Sequence, residues 1–229
     1  MTPPPWGTIL FDYGATLDGD GIHWSRRFDR VFRALGLVYT DEGLNRAFRE
    51  AEERMNVDPA MSGRGLEAAL RLEVGYMLEL LAPGSARGEE ATARLLAETR
   101  QYLARNVAVL QQLHGRARLG ILSNFTGNLE LILRQEGLRP HVDLVFDSAV
   151  VGLRKPDPEF FRHALDRLGG TAAGAVMVGD SVEMDLEPAR ALGLATVWIE
   201  GEAPRSTRFI PDFRWKNVRE FLTLTGAIR

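Results

Sequence analysis

Residues 8–17, which read TILFDYGATL, decide the fold of this 229-residue chain. Four apolar or β-favouring residues run into Asp12, and the small residues that follow do not continue a strand. The loops at the carboxyl ends of strands carry the chemistry in open α/β sheets. We therefore expect Asp12 to lie at the end of a first strand, although an aspartate in this place by itself caps a turn equally well.

The rest of the chain separates into a helical part and a part in which strands and helices alternate. From about residue 25 to residue 102 the apolar spacing is helical, as in Phe28, Val31, Phe32 and Leu35. Beyond about residue 105, strands are predicted at 117–124, 143–151, 173–180 and 195–200, and helices at 128–137, 158–170, 187–193 and 215–226.

This alternation predicts an α/β fold, because strands joined by helical crossovers form a parallel sheet that is covered on both faces. We expect a Rossmann-like, doubly wound core of residues 1–17 and 105–229. An all-helical cap of residues 18–104 is inserted directly after the first strand.

The composition limits the kinds of partner. The formal net charge is −3 and the pI is near 5.9, so no overall basic field attracts nucleic acid or anionic lipid. No apolar run approaches the roughly 18 residues of a membrane span, and the opening residues lack a secretory-signal pattern. We expect a cytoplasmic protein. Its oligomeric state is not visible in the sequence.

The composition also limits the chemistry. Because the chain has no cysteine, thiolate catalysis and disulfides are excluded, and a metal must be bound mostly through oxygen. Of the 28 basic residues only Lys155 and Lys216 are lysines. A lysine inside a motif therefore invites a specific explanation, and Lys155 lies in the stiff phrase LRKPDPEFF.

Later segments supply the partners that a carboxylate attacking phosphorus needs. Ser123 and Asn124 follow an apolar strand, where a hydroxyl and backbone N–H groups can bind a phosphoryl oxygen. Lys155 offers a point charge that stabilises the transferring group. Asp180 follows another apolar strand, with Asp185 five residues later. Paired carboxylates suit Mg²⁺, which prefers oxygen ligands and offsets the charge of an attacking carboxylate.

In chain order, FDYGATL, ILSN, KPDP and GDSVEMDLEPA resemble the motifs of the haloacid dehalogenase (HAD) superfamily with a helical C1 cap. The resemblance spans almost the whole chain and implies a Mg²⁺-dependent hydrolase that forms an aspartyl phosphate. It implies catalytic roles for Asp12 and Lys155. It further implies phosphate binding by Ser123, Asn124 and Lys155. The implied metal site has Asp12, Asp180 and the carbonyl of Gly14 as direct ligands, with Asp185 supporting the site from behind these ligands.

The first motif departs from the pattern of the superfamily's phosphatases. Those enzymes usually read DxDGT, and the second aspartate donates a proton to the leaving group, whereas this chain has Gly14 there. General acid–base help is typically worth about 10² to 10⁴ in rate, so turnover should be reduced unless another group substitutes. Asp18, Asp20 and His23 are candidates, although turn and hinge roles suit them as well.

Two functions stay open. The chain is a hydrolase of a phosphorylated small molecule, or a catalytically degenerate member that binds a phosphorylated ligand or a protein partner. Dehalogenation is disfavoured, since haloacid dehalogenases have a tyrosine two places after the nucleophile and Tyr13 follows it directly. Schiff-base chemistry is excluded because residues 18–105 contain no lysine. The cap residues Trp24, Arg26, Arg27, Phe28 and Arg64 could meet an anionic substrate, or belong to amphipathic helices with a charged outer face.

Overall fold

Six parallel strands form the central sheet of the computed structural model, which describes residues 5–201 and 207–224. The spatial order is β3-β2-β1-β4-β5-β6. The strands are β1 (Thr8–Phe11), β2 (Arg118–Ser123), β3 (Leu144–Asp147), β4 (Ala175–Gly179), β5 (Ala195–Ile199) and β6 (Phe213–Trp215). The predicted doubly wound α/β fold is confirmed. The outermost residues of the predicted core, 1–4 and 225–229, lie outside the described residues.

The central strand β1 is buried along its whole length, which explains its unbroken apolar sequence. Phe11, its last residue, pairs with Ile121 of β2 on one side and with Val178 of β4 on the other. Because all neighbouring strands are parallel, their carboxyl ends lie along one edge of the sheet. Residues that follow β1, β2 and β4 therefore meet there.

Helices cover both faces of the sheet and form the insertion. They are α1 (Trp24–Ala34), α2 (Asp41–Val57), α3 (Leu66–Leu81), α4 (Gly88–Leu113), α5 (Leu129–Gln135), α6 (Ser148–Val151), α7 (Pro158–Leu168), α8 (Glu187–Ala191) and α9 (Phe221–Leu224). One face packs Leu10 and Leu122 against Phe160 and Phe161 of α7. The opposite face belongs to a larger apolar core that includes α4 and α5.

Two predicted elements are wrong in part. Residues 143–151 were expected to be strand, but β3 ends at Asp147, whose side chain accepts a hydrogen bond from the Ala149 N–H at 3.0 Å and caps α6. The last helix was expected from residue 215, but Trp215 pairs with Ile199 at the edge of the sheet. The final helix, α9, begins only at Phe221, and the predicted end of this helix at residues 225–226 lies outside the described residues.

Side-chain hydrogen bonds join the inserted helices to the core. The Asn106 amide donates to the Leu17 carbonyl and to Asp20 Oδ1, both at 2.9 Å. The Asn128 amide donates to the Arg64 carbonyl at 2.9 Å. The helix α4 is continuous through the boundary predicted between residues 104 and 105, so this boundary falls inside a helix.

Within residues 5–201 and 207–224, no helix combines the length and the apolar composition that a membrane span requires.

Candidate active site

Asp12 lies directly after β1, at the edge of the sheet where the strands end. Its side chain is buried, with 6% of the residue exposed. The hydroxyl of Ser123, the last residue of β2, donates to Asp12 Oδ1 at 3.1 Å. The predicted meeting of these two side chains is thus present in the fold.

Lys155 reaches the same carboxylate from the loop between α6 and α7. Its Nζ lies 2.7 Å from Asp12 Oδ1 and 2.6 Å from Asp185 Oδ1. Burial opposes the charge of this ammonium, but the two carboxylates outweigh burial and raise its pKa above the ordinary lysine value. The lysine therefore stays charged.

The side-chain amide of Asn124 both accepts a hydrogen bond from the main chain of Lys155 and donates one to it. Its Oδ1 accepts from the Lys155 N–H at 2.8 Å, and its Nδ2 donates to the Lys155 carbonyl at 2.9 Å. The amide thereby holds the lysine loop in place. Phosphate binding by Ser123 and Asn124 stays a prediction.

Asp12, Asp180 and Asp185 form a buried acidic cluster. One carboxylate oxygen from each lies within 4.8 Å of the others. Asp185 Oδ2 accepts the Ser181 N–H at 3.1 Å. A Cβ on Gly179 would lie 2.3 Å from that same Oδ2, so only glycine allows Asp185 this position. Hard oxygen donors at this spacing suit Mg²⁺.

The loop after Asp12 leaves space where the superfamily's phosphatases carry an acid. Gly14 has φ −65° and ψ 129°, which any residue adopts, and no heavy atom lies within 4 Å of the place its Cβ would take. Ala15 follows with a φ of +60°, and its N–H donates to Asp18 Oδ1 at 2.6 Å. Gly14 borders the cavity described below, and metal binding through its carbonyl stays a prediction.

The three candidate substitutes for the missing acid take different places. Asp18 is 1% exposed and lines the cavity, and burial raises its pKa to about 6. His23 also lines the cavity, and it caps α1 by accepting the Ser25 N–H at 3.2 Å. Asp20 is not among the cavity residues and is held by Asn106 and by the Val218 N–H at 3.3 Å, which fits a hinge role.

A cavity of about 740 Å³ lies between the acidic cluster and the inserted helices. Its cap side is mainly apolar, and the apolar and aromatic cap residues are Trp24, Phe48, Met55, Leu66, Ala69 and Leu70. In the described part of the chain, the cap arginines Arg26, Arg27 and Arg64 do not border it. Arg27 is fully buried and donates to the Asp18 carbonyl and to Thr99, so it stabilises the cap instead.

Two of the residues that line the cavity were not predicted as site residues from the sequence. Glu52 and Glu73 line the cap side of the cavity. A signal for Glu73 was present, since it occupies an apolar stripe of α3 with Leu66, Leu70 and Met77 at helical spacing. Burial, followed by the charge of Glu52, raises the pKa of Glu73 to about 8.

Comparison with known proteins agrees with this geometry. A family model described as haloacid dehalogenase-like hydrolase matches residues 8–193. The chain belongs to this family. The matched region includes every predicted site residue from Asp12 to Asp185.

Curated relatives of the chain include two proteins named for phosphate chemistry. The phosphoserine phosphatase of Thermus thermophilus is 33% identical over 177 residues, which cover 76% of this chain and 62% of that protein. The pyrimidine 5'-nucleotidase YjjG of Escherichia coli is 35% identical over 128 residues, covering 52% of this chain and 57% of that protein. The match thus spans less than two thirds of either relative's own length.

Solved structures show the same fold. A dehalogenase with an intermediate complex superposes with a TM-score of 0.66 at 20% sequence identity, covering 99% of both chains. Identity this low supports the architecture of the chain and says nothing of a substrate.

Proposed function

We propose that this chain is a Mg²⁺-dependent phosphoric monoester hydrolase that acts on a phosphorylated small molecule beneath a cap of residues 18–104. The observation that carries the proposal is the buried contact of the Lys155 ammonium with Asp12 at 2.7 Å, inside the acidic cluster. The names of the two curated relatives, a phosphatase and a nucleotidase, support phosphate esters as the substrate class.

The acidic cluster fits the metal. Asp12, Asp180 and Asp185 offer oxygen atoms alone, close together and buried, and the chain has no cysteine to favour a softer ion. Together with the carbonyl of Gly14, these residues would hold Mg²⁺. When bound, the ion supplies positive charge that offsets repulsion between a carboxylate nucleophile and an anionic phosphoryl group.

Asp12 acts as the nucleophile. A carboxylate oxygen of Asp12 forms a bond to phosphorus as the bond from phosphorus to the ester oxygen breaks, which gives an aspartyl phosphate and an alkoxide that takes up a proton. Water then attacks the aspartyl phosphate, which releases inorganic phosphate and restores Asp12. Lys155 stabilises the negative charge on the phosphoryl oxygens during both steps. Ser123 orients the phosphoryl group, and the Asn124 amide contributes by holding the loop that carries Lys155.

Asp18 is the group we favour as proton carrier in place of the missing acid at Gly14. It borders the cavity, and a pKa of about 6 leaves part of its population protonated near neutral pH. A general acid works best when its pKa lies near the working pH.

The direct test is phosphate release from a panel of phosphorylated metabolites and p-nitrophenyl phosphate, with and without Mg²⁺. We expect Mg²⁺-dependent turnover that Asp12→Asn abolishes, because the amide cannot form the covalent intermediate. Asp166→Asn, which makes the same change at an exposed site on α7, should keep full activity. Turnover that survives in Asp12→Asn, or that needs no metal, would contradict the proposal.

Gly14 favours a second candidate function, a member of the family that binds a phosphorylated ligand or a protein partner without efficient turnover. The position offers no proton, although its surroundings leave room for an acid. Tight binding of phosphate esters by calorimetry, with no release of phosphate over hours, would support this alternative.

A further inference from the structure

Glu73 is the one ionisable residue that α3 contributes to the cavity wall. Leu66, Ala69 and Leu70 of the same helix also line the cavity, and Glu73 is partly buried. None of the hydrogen bonds and ion pairs among the described residues involves Glu73. An unpaired carboxyl group in an apolar wall costs free energy, and a ligand that pairs with it recovers that cost. The position therefore suits a group on a bound substrate.

The charges around Glu73 favour a cation over an anion. Glu52 and Asp18 border the same cavity, and both act on Glu73 as like charges. Arg27 acts in the opposite sense, but it is fully buried, stacks 3.8 Å from the Trp24 ring and does not border the cavity. No lysine or arginine of the cap lines the cavity in the described part of the chain.

The lysine and the arginine that border the cavity come from the core. Lys155 is already paired with Asp12 and Asp185. Arg154 is exposed, and it acts as the opposite charge to Glu52. With the phosphoryl group at the Lys155 end of the cavity, the rest of the substrate lies at the cap end. A further anionic group on the substrate would there meet Glu52, Glu73 and the apolar side chains of the wall.

We propose that Glu73 is a specificity-determining residue which selects phosphate esters whose leaving group carries an amine at the end of an apolar segment. The proposal rests on the proposed function, because it places the phosphoryl group at Asp12 and the leaving group under the cap. Glu73 contacts the substrate ammonium, Glu52 adds to the attraction, and the apolar wall packs against the intervening carbon atoms.

The test is calorimetric titration, in the presence of Mg²⁺, of phosphonates that cannot be hydrolysed. We compare four series of phosphonates: aminoalkyl, alkyl, hydroxyalkyl and carboxyalkyl. The chain length increases within each series, and the same lengths are used in all four. At the best length we expect the amine to bind about 10- to 100-fold tighter than its alkyl counterpart, the range of a charge-assisted hydrogen bond. The carboxylate should bind more weakly than the alkyl compound.

Glu73→Gln should remove most of the preference for the amine, measured as the ratio of the affinities for the aminoalkyl- and alkylphosphonate of the same length. Glu53→Gln is the matched control, since Glu53 is exposed on α2, does not border the cavity and loses the same charge. Glu53→Gln should keep the full preference.

A second readout separates substrate contact from a structural role. Burial raises the pKa of Glu73 to about 8, so the empty cavity holds this carboxyl mostly protonated at neutral pH. An ammonium that pairs with it drives ionisation, and amine binding at neutral pH should release a proton, measured from binding enthalpies in buffers of different ionisation enthalpy. Glu73→Gln should abolish this release.

The proposal is overturned if alkyl, hydroxyalkyl or carboxyalkyl compounds bind as tightly as the amines, if Glu73→Gln keeps the preference, or if no phosphonate binds. If the original chain shows no preference for the amine while Asp12-dependent hydrolysis of p-nitrophenyl phosphate persists, this inference alone is rejected. Absence of that hydrolysis would reject the proposed function. The phosphonate titrations would then still show whether the cavity prefers an amine.

Discussion

Gly14 occupies the position at which the resemblance of the first motif implies an acid. The backbone there suits any residue, and the space that a Cβ would take is free. Gly14→Asp should therefore be accommodated and should raise the rate of ester hydrolysis, by up to about 10² to 10⁴, the usual worth of general acid–base catalysis. The measurement is kcat with p-nitrophenyl phosphate and with an alkyl phosphate.

Gly14→Asn is the control for this prediction, since the amide has nearly the shape of the acid but transfers no proton. The alkyl phosphate should gain more than p-nitrophenyl phosphate, because its poorer leaving group needs the proton more. Equal rates for the two variants would show that proton transfer at this position does not limit turnover.

Asp18 makes the stability of the fold depend on pH. Burial raises its pKa to about 6, so the folded protein holds this proton at pH values where the unfolded chain, with a pKa near 3.9, has released it. The stabilisation is complete below about pH 4 and is lost as the pH rises through about 6, an amount on the order of 3 kcal/mol.

Asp18→Asn removes this titration. The free energy of unfolding of both proteins is measured by urea denaturation from acid to neutral pH. As the pH rises, the original chain should lose stability relative to the variant. Other titrating groups cancel because both proteins share them. Asp166→Asn, at an exposed site, should give a difference that is flat with pH. A flat profile for Asp18→Asn as well would mean that Asp18 titrates normally.

At the scale of single elements, two glycines in regular structure have opposite roles. A Cβ on Gly120 in β2 would lie 2.8 Å from Leu168 and 2.9 Å from Leu10, whereas one on Gly75 in α3 would meet no heavy atom within 4 Å. Gly120 lets α7 pack closely on the sheet. Gly75 is exposed in a helix interior, where glycine is unfavourable.

Gly75→Ala should stabilise the chain by about 0.5 to 1 kcal/mol, because alanine loses less conformational entropy in a helix. Gly120→Ala should destabilise it by about 1 to 3 kcal/mol through overpacking. Chemical denaturation of both variants checks the pair, and the same sign for both would contradict the packing described here.

At the scale of the whole molecule, the hydrogen bonds of Asn106 close the place where the chain leaves the core and returns to it. This fully buried amide donates to the Leu17 carbonyl and to Asp20, residues that precede it by 89 and 86 positions. Asn106→Ala would leave both acceptors without this donor, which costs about 1 to 3 kcal/mol.

The expected result for Asn106→Ala is a fall in Tm of about 2 to 4 °C per kcal/mol, as is usual for a chain of this size. Asn45→Ala, which removes an exposed amide on α2, should change stability by no more than about 0.5 kcal/mol. Similar small effects in both variants would mean that the junction does not depend on Asn106.

The sequence by itself was enough to determine the parallel α/β core, the inserted helices and the place of Asp12. These features follow from local rules, since apolar periodicity and turn residues act within a few positions. The rule that parallel strands end at one edge then brings Asp12, Ser123 and Asp180 together. The sequence misjudged residues 148–151 and Trp215, where a side-chain cap and an edge-strand pairing override the local pattern.

Only the tertiary structure decided which partners the site residues use and what lines the cavity under the cap. The Asn124 amide is hydrogen-bonded to the main chain of Lys155, Arg27 is buried in the cap, and Glu73 lines the cavity. The physical reason is that these outcomes depend on contacts between segments far apart in the chain, such as the 72 positions between Arg27 and Thr99. The local pattern predicts which residues share one face of a helix. Only the packing of the whole fold decides which residues contact that face.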